Sequence, residues 1–268
     1  MPHQPTNARQ KMNSSARHKI FDTHFHIIDS RFPLTPNQGY LPPGFDWESY
    51  LEAAGPLGVV GGAIVSGSFQ AFDQTYLIDA LARLGPCYVG VAQLPPAVGD
   101  DELRQLDAAG VRAVRFNVKR GGSAEIGELA DMARRVYDLL RWHVELYIDS
   151  KDLAAIYGTV AALPSASIDH LGLSRAGMPT LLKLAERGAQ VKATGFGRVD
   201  FDVAQAVKDI TSANPASLVF GTDMPSTRAP RPFLSSDIDL VADALGDTLA
   251  KRVFYTNAVE FYRPRATV

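Results

Sequence analysis

Residues 20–27 read Ile20-Phe21-Asp22-Thr23-His24-Phe25-His26-Ile27, a β-forming run that carries two imidazoles. Side chains alternate between the faces of a strand, so His24 and His26 have the same parity and project together. Seven further apolar runs follow: Val59–Ser66, Cys87–Gln93, Ala113–Val118, Val144–Ile148, Ser167–Leu171, Gln190–Thr194 and Leu218–Gly221. Amphipathic segments alternate with them and predict helices over Trp47–Leu57, Phe72–Leu84, Asp101–Ala109, Ile126–Trp142, Lys151–Ala162, Pro179–Arg187, Phe201–Ala213 and Ser236–Leu245. Alternating strands and helices are the signature of repeated βα units and a parallel sheet. Eight of each predicts an α/β fold, a (β/α)8 TIM barrel formed as a single domain over residues 20–268. The length of 268 residues suits it, since such barrels use about 250.

An open doubly wound sheet is the structural alternative. Gly58, Gly61 and Gly62 lie before or inside a strand and not between strand and helix, so they make no dinucleotide fingerprint. Boundary residues agree with the barrel: Asp100 or Asp101 can cap the third helix, Gly110 and Gly188 follow helices, and Pro179 suits a first turn. The Pro/Gly-rich stretch from Phe32 to Phe45 reads as a long loop after the first strand. Loops at the carboxyl ends of barrel strands carry the active site, which makes it a candidate binding loop.

Composition narrows the function. With 46% hydrophobic and 21% charged residues the chain has the apolar material for a core and is not disordered as a whole. A net charge of -2 leaves no global field to attract nucleic acid or an anionic membrane. No apolar run approaches the length of a membrane-spanning helix. The one cysteine, Cys87, cannot form an internal disulfide and starts the third strand, away from the end where barrel chemistry occurs. A cytoplasmic protein is the expectation. Residues Met1–Lys19 are basic, lack acidic residues and any apolar stretch, and read as a disordered tail.

Polar residues at strand ends carry the chemistry. The sixth strand runs into Asp169-His170-Leu171-Gly172 and the eighth into Gly221-Thr222-Asp223-Met224-Pro225. A carboxylate at a barrel mouth is costly unless it is paired, metal-bound or poised for proton transfer. His24, His26, His170 and Asp223 are therefore the candidate catalytic set.

These motifs resemble the amidohydrolase superfamily, in the branch that contains 2-pyrone-4,6-dicarboxylate lactonase and related sugar lactonases. Gly39-Tyr40-Leu41-Pro42-Pro43, Val111-Arg112-Ala113-Val114-Arg115-Phe116-Asn117 and Trp142-His143-Val144-Glu145-Leu146 extend the resemblance along the chain. It implies hydrolysis of the lactone ring of a carboxylate-bearing substrate such as a pyrone dicarboxylate, a muconolactone or an aldarolactone. Two departures stand out. The branch usually has Ser and Trp where this chain has Thr222 and Met224. The superfamily's bridging lysine or glutamate on the fourth strand is replaced by Arg115, a permanent cation that argues against a binuclear metal centre.

Parity turns Arg115 and Asn117 inward, because Val114, Phe116 and Val118 face the helices. Arg115 then either binds a substrate carboxylate in a bidentate way or forms a buried salt bridge with Glu145. Tyr147 resembles the branch's substrate-binding tyrosine, and Arg198 resembles one of its arginines. Arg120 and Lys119 add positive charge, Ser66 and Ser68 are candidate hydroxyl donors, and Tyr40 reaches in from the first loop. Lys192 reads as a structural partner for an acid such as Asp169, and His143 as a packing or surface histidine. In the expected reaction Asp223 takes a proton from water, and His24, His26 and His170 polarise the lactone carbonyl as donors or through one divalent ion. No cofactor is expected to be required; the alternative is one zinc or manganese held by His24, His26, His170 and Asp223. A small anionic substrate is the expected partner, with self-association into a homo-oligomer left open. A zinc-dependent hydrolase or decarboxylase and a silent anion-binding barrel are the competing functions.

Overall fold

The computed structural model describes residues 18–268. Eight strands, β1 (Ile20–Phe25), β2 (Val59–Val65), β3 (Tyr88–Ala92), β4 (Val111–Phe116), β5 (His143–Leu146), β6 (Ala166–Ile168), β7 (Gln190–Ala193) and β8 (Leu218–Phe220), pair in parallel in chain order. Helices alternate with them: α1 (Trp47–Ala54), α2 (Thr75–Leu84), α3 (Asp100–Ala109), α4 (Leu129–Leu140), α5 (Leu153–Ala161), α6 (Met178–Glu186), α7 (Val203–Ala213), α8 (Ser236–Lys251) and α9 (Asn257–Tyr262). This is a single-domain (β/α)8 barrel. No described helix is long and apolar enough to cross a membrane.

Alternation along the strands builds two apolar layers. Ile20, Ile64, Val114, Val144, Ile168 and Leu218 face outward into the main core under the helices. Phe21, Ala63, Val65, Val89, Val91, Ala113 and Val219 face inward and form a smaller cluster at the amino-terminal end. Burying each large side chain contributes about 1.5–3 kcal/mol, so both layers favour the same strand faces.

The edges β1 and β8 meet through Asp223 N to His24 O at 2.7 Å and His26 N to Met224 O at 2.8 Å. Asp22 reinforces this seam. Its carboxylate accepts from the Thr222 backbone at 2.8 Å, the Thr222 hydroxyl at 2.7 Å and the Tyr50 hydroxyl at 3.1 Å. Burial raises its pKa to about 6, against the pull of those donors. Gly221 is required here, since a Cβ would lie 2.7 Å from His24 N. Phe21 and His24 both reach the interior although their parities differ. A register irregularity between Asp22 and Phe25 allows the change of face.

Most helix ends shift by one to three residues, and three departures from expectation have an identifiable local cause. Asp100 is the first residue of α3, capped by Gly99, and its carboxylate binds Arg135 instead of closing the helix. Helix α4 stops at Leu140 because Arg141 takes a left-handed C-cap conformation. The chain does not end its helices at Leu245: Gly246 (φ 69°) interrupts α8, which continues to Lys251, and a wide turn over Arg252–Thr256 leads into α9. Gly110 and Gly188 do adopt positive φ, and Pro179 does occupy the first turn of α6.

Helix α9 closes the amino-terminal end. Tyr262 stacks on Phe21 at 5.6 Å between ring centroids, and its hydroxyl donates to Glu145 Oε1 at 2.5 Å. His143 packs under Phe261, with ring centroids 3.9 Å apart, in the buried structural role expected of it. Of the expected tail, residues 1–17 lie outside those described; His18 packs on Phe254 and Lys19 donates to the Val268 carbonyl.

Candidate active site

At the carboxyl ends of the strands the four candidate catalytic residues converge. His24 lies on β1 and His26 just past its end, while His170 and Asp223 lie in the loops that follow β6 and β8. Their exposures lie between 0% and 4%, so each ionisable group is cut off from bulk water. His170 (φ 52°) and Asp223 (φ 62°) adopt the left-handed backbone that non-glycine residues avoid. Strain of this kind collects at functional sites, where the surrounding structure holds it in place. Gly195 makes room beside them, since a Cβ there would come 2.8 Å from His170 Nδ1 and 2.9 Å from Arg198 Cδ.

Asp223 is satisfied on one oxygen only. Oδ2 accepts from Arg198 Nε at 2.8 Å, whereas Oδ1 has no hydrogen-bond partner among the described residues. That oxygen faces His24 Nε2 at 3.9 Å and His26 Nε2 at 4.0 Å. His24 Nε2 also lacks a partner. Burial pushes the imidazolium pKa of His24 down and those of His26 and His170 well below the ordinary histidine value. All three are therefore neutral at pH 7. His26 Nδ1 lies 2.7 Å from the Val65 carbonyl, which only accepts, so the His26 proton sits on Nδ1 and Nε2 keeps a lone pair. His26 is thus no oxyanion donor, one of the two roles expected of it; the other, ligation of a divalent ion, uses that lone pair. His170 Nδ1 pairs with the Thr194 hydroxyl at 2.7 Å.

One layer down lies a set of charges with assigned partners. Lys192 Nζ is 2.5 Å from Glu145 Oε2 and 3.4 Å from Asp169 Oδ1. Arg115 donates through Nε and Nη2 to Asp169 Oδ2, at 3.2 and 2.8 Å, and through Nη1 to the Ser66 carbonyl at 2.8 Å. The buried salt bridge of Arg115 is therefore with Asp169 and not with Glu145. Burial alone would raise Glu145, but Lys192 holds it down to about 2; Lys192 and Arg115 likewise hold Asp169 well below the usual range.

Above the histidines a cavity of about 40 Å³ opens between Tyr40, Ser68, Arg120, Tyr147, Arg198 and Arg228. It shares Arg120, Tyr147, Arg198 and Arg228 with a wider hollow of about 250 Å³ toward solvent. Most sequence-expected binding residues thus line one funnel. Ser66 does not: its hydroxyl pairs with Gln74 Oε1 at 3.0 Å and the Tyr76 hydroxyl at 2.8 Å, away from the cavity. Arg228 and Thr227, in the loop after β8, line it without having been singled out by sequence; so does Phe69. Arg228 stacks on Tyr40 at 4.4 Å and donates to Asn37 Oδ1 at 3.2 Å, while Asn37 Nδ2 donates to the Arg120 carbonyl at 3.3 Å. Loops from three strands are clasped together. The Arg120 guanidinium has no hydrogen bond among the described residues, and its charge, after burial, lowers the pKa of Arg228. Two guanidiniums without an acid partner among the described residues give the funnel a positively charged lining.

The donors also fit a metal. Ligand atoms of His24, His170 and Asp223 lie within 4.8 Å of one another and fit a single divalent ion. A second group, His24, Glu145 and Asp169, already holds the Lys192 ammonium. With Arg115 facing Asp169, a binuclear centre does not fit.

Residues 21–263 match the family model described as Amidohydrolase. A 2-pyrone-4,6-dicarboxylate hydrolase of Comamonas testosteroni is 33% identical over 156 residues, 56% of this chain and 51% of that enzyme. The chain thus aligns with about half the length of that relative. A 4-sulfomuconolactone hydrolase of Hydrogenophaga intermedia is 25% identical over 224 residues, 76% of this chain and 74% of the enzyme. Among solved structures, an Agrobacterium tumefaciens protein superposes with a TM-score of 0.82 at 21% identity, covering 94% of this chain and 97% of that one. These structural likenesses establish the barrel.

Proposed function

The chain belongs to the amidohydrolase family, and from that premise we propose that it is a lactone hydrolase for a small carboxylate-bearing substrate, with Asp223 as the general base. The observation that carries this is Asp223 Oδ1, a buried carboxylate oxygen without a hydrogen-bond partner, 4.0 Å from His26 Nε2 and on a side chain held by Arg198, both of which line the arginine-rich funnel. The two relatives open a pyrone and a muconolactone by their names, and this chain's funnel suits the same chemical class.

In this reading the substrate's carboxylate rests on Arg120 and Arg228, beside Tyr147 and Tyr40, with the lactone carbonyl directed down to the histidines. Arg198 fixes Asp223 through Oδ2 and leaves Oδ1 to take a proton from water. The His26 Nε2 lone pair accepts that water's other hydrogen. The hydroxide adds to the carbonyl carbon, and His24 and His170 stabilise the oxyanion. Collapse breaks the ring C–O bond, the departing oxygen recovers the proton from Asp223, and a ring-opened carboxylate results. We place this chemistry in the cytoplasm, where the single thiol of Cys87 stays reduced.

No metal is required in this reading, because Arg115, Lys192 and Arg198 already bring three cations against Asp169 and Asp223. A second reading is favoured by the paired orphans His24 Nε2 and Asp223 Oδ1: one zinc or manganese held by His24, His170 and Asp223 would polarise the carbonyl as a Lewis acid. The test is a panel of pyrone dicarboxylates, muconolactones and aldarolactones with product analysis, before and after dialysis against a strong chelator. Activity that survives chelation supports the metal-free reading. Activity lost and restored by about one equivalent of metal supports the second. No ring opening across the panel, with anions still bound, would show a silent anion-binding barrel.

A further inference from the structure

Lys192 is fully buried on β7, and no step above uses it. Its ammonium lies 2.5 Å from Glu145 Oε2, 3.4 Å from Asp169 Oδ1 and 3.4 Å from His24 Nδ1, a ring nitrogen that accepts only in one tautomer. An ammonium carries three N–H donors and no acceptor. We infer that Lys192 is a positioning residue that fixes the tautomer of His24, directing one N–H at Nδ1 so that the imidazole carries its own proton on Nε2.

The competing partner of His24 Nδ1 is Asp169 Oδ1, 3.5 Å away and without a well-directed hydrogen bond. A proton on Nδ1 would satisfy that oxygen but would also point an N–H at an ammonium. It would further leave the Nε2 lone pair facing Asp223 Oδ1 at 3.9 Å, carboxylate against lone pair with nothing between. The Nε2–H tautomer gives Asp223 Oδ1 a facing N–H, and the bare Nδ1 it leaves 3.5 Å from Asp169 Oδ1 shares with that oxygen the Lys192 ammonium, 3.4 Å from each. His24 and His26 accordingly hold opposite tautomers. The Val65 carbonyl sets His26 as an acceptor at the reaction centre, and Lys192 sets His24 as a donor. Two residues of like parity thus divide the work, one holding water and one holding the oxyanion. An Nε2 that bears a proton is also not a metal ligand, so Lys192 disfavours metal at this position.

What the Nε2 proton does rests on the lactone-hydrolase reading; where the proton sits does not. The test uses the full-length protein with ¹⁵N-labelled histidine and no substrate, in long-range ¹H–¹⁵N correlation spectra at neutral pH. The His24 signals are assigned by their loss in His24→Gln. The expected result is a bare Nδ1 and a protonated Nε2 for His24, with the reverse pattern for His26. A protonated Nδ1 on His24 overturns the inference. Lys192→Met, checked for native near-UV circular dichroism, should move the His24 proton to Nδ1 and raise affinity for added zinc, read by calorimetry. A folded Lys192→Met protein with an unchanged His24 tautomer also overturns it, and if that variant does not fold, the wild-type spectrum decides. Lys192→Arg, which keeps the donors, should retain the wild-type pattern. A protein inactive on every lactone could still show the predicted tautomer, and an active lactonase could show the opposite one, so the two readings fail separately.

Discussion

Two layers of charge lie one above the other in this barrel, and they differ in how completely they are paired. In the lower layer Glu145, Lys192, Asp169 and Arg115 lock together in ion pairs, with Tyr262 and the Ser66 carbonyl as additional partners; Asp169 Oδ1, which has no hydrogen bond, still faces the Lys192 ammonium at 3.4 Å. In the upper layer Asp223 Oδ1 and His24 Nε2 are equally buried yet have no partner. Burial without pairing costs free energy that a fold alone has no reason to bear. The lower layer therefore reads as architecture, and the upper layer is where we place the reaction.

Replacing the upper carboxylate breaks the comparison most sharply. Asp223→Asn keeps the shape and loses the proton acceptor, so turnover should fall by roughly 10²–10⁴-fold while the thermal transition stays close to that of the wild type. Steady-state kinetics with a folded variant checks this, and a wild-type rate would remove Asp223 from the chemistry. The lower layer should respond in the opposite way. Glu145→Leu leaves Lys192 short of its closest counter-charge, and about 3–5 kcal/mol of stability should disappear, measured by urea unfolding. Acid should expose the same layer in the wild type. Glu145 and Asp169 have depressed pKa values in the fold, so their contribution is present above their unfolded values and lost as pH falls below about 4. Unfolding midpoints at pH 7, 5 and 3 should hold and then drop; a flat profile would show that these pairs contribute nothing net.

Smaller effects belong to the funnel. Arg228→Met removes one charged contact to the substrate and should raise KM about tenfold with little change in kcat, the size of one charge-assisted hydrogen bond. An unchanged KM would confine Arg228 to clasping loops. Smallest of all is Ser66→Ala. Its hydroxyl serves Gln74 and Tyr76, so a loss of about 1 kcal/mol in stability with unaltered KM is expected; a raised KM would return Ser66 to the substrate.

The barrel was legible because its signal is local. Each strand needs only apolar residues in a short run, and all eight fall where the sequence places them, with ends shifted by a few residues. Polar residues at strand ends were legible for the same reason, since His24, His26, His170 and Asp223 are out of keeping with their apolar surroundings. Pairing was not legible. Parity turns Arg115 inward, but whether it meets Glu145 on the adjacent strand or Asp169 one strand further depends on strand stagger and side-chain reach, which sequence spacing does not contain. Arg228 was missed because loop residues follow no period. Helix α9 was missed because Gly246 looks like a final stop, although Phe254, Ala258 and Tyr262 recur at helical spacing beyond it.

Tyr262 ties the end of the chain to the floor of the barrel. Its ring, fully buried against Phe21, and its hydroxyl on Glu145 put the carboxyl-terminal margin of the sequence in charge of the chamber's dielectric. Opposite charges attract weakly where water reaches them and strongly where it does not. The last helix is thus an insulator for the Glu145–Lys192 pair, set by residues far from both in the sequence.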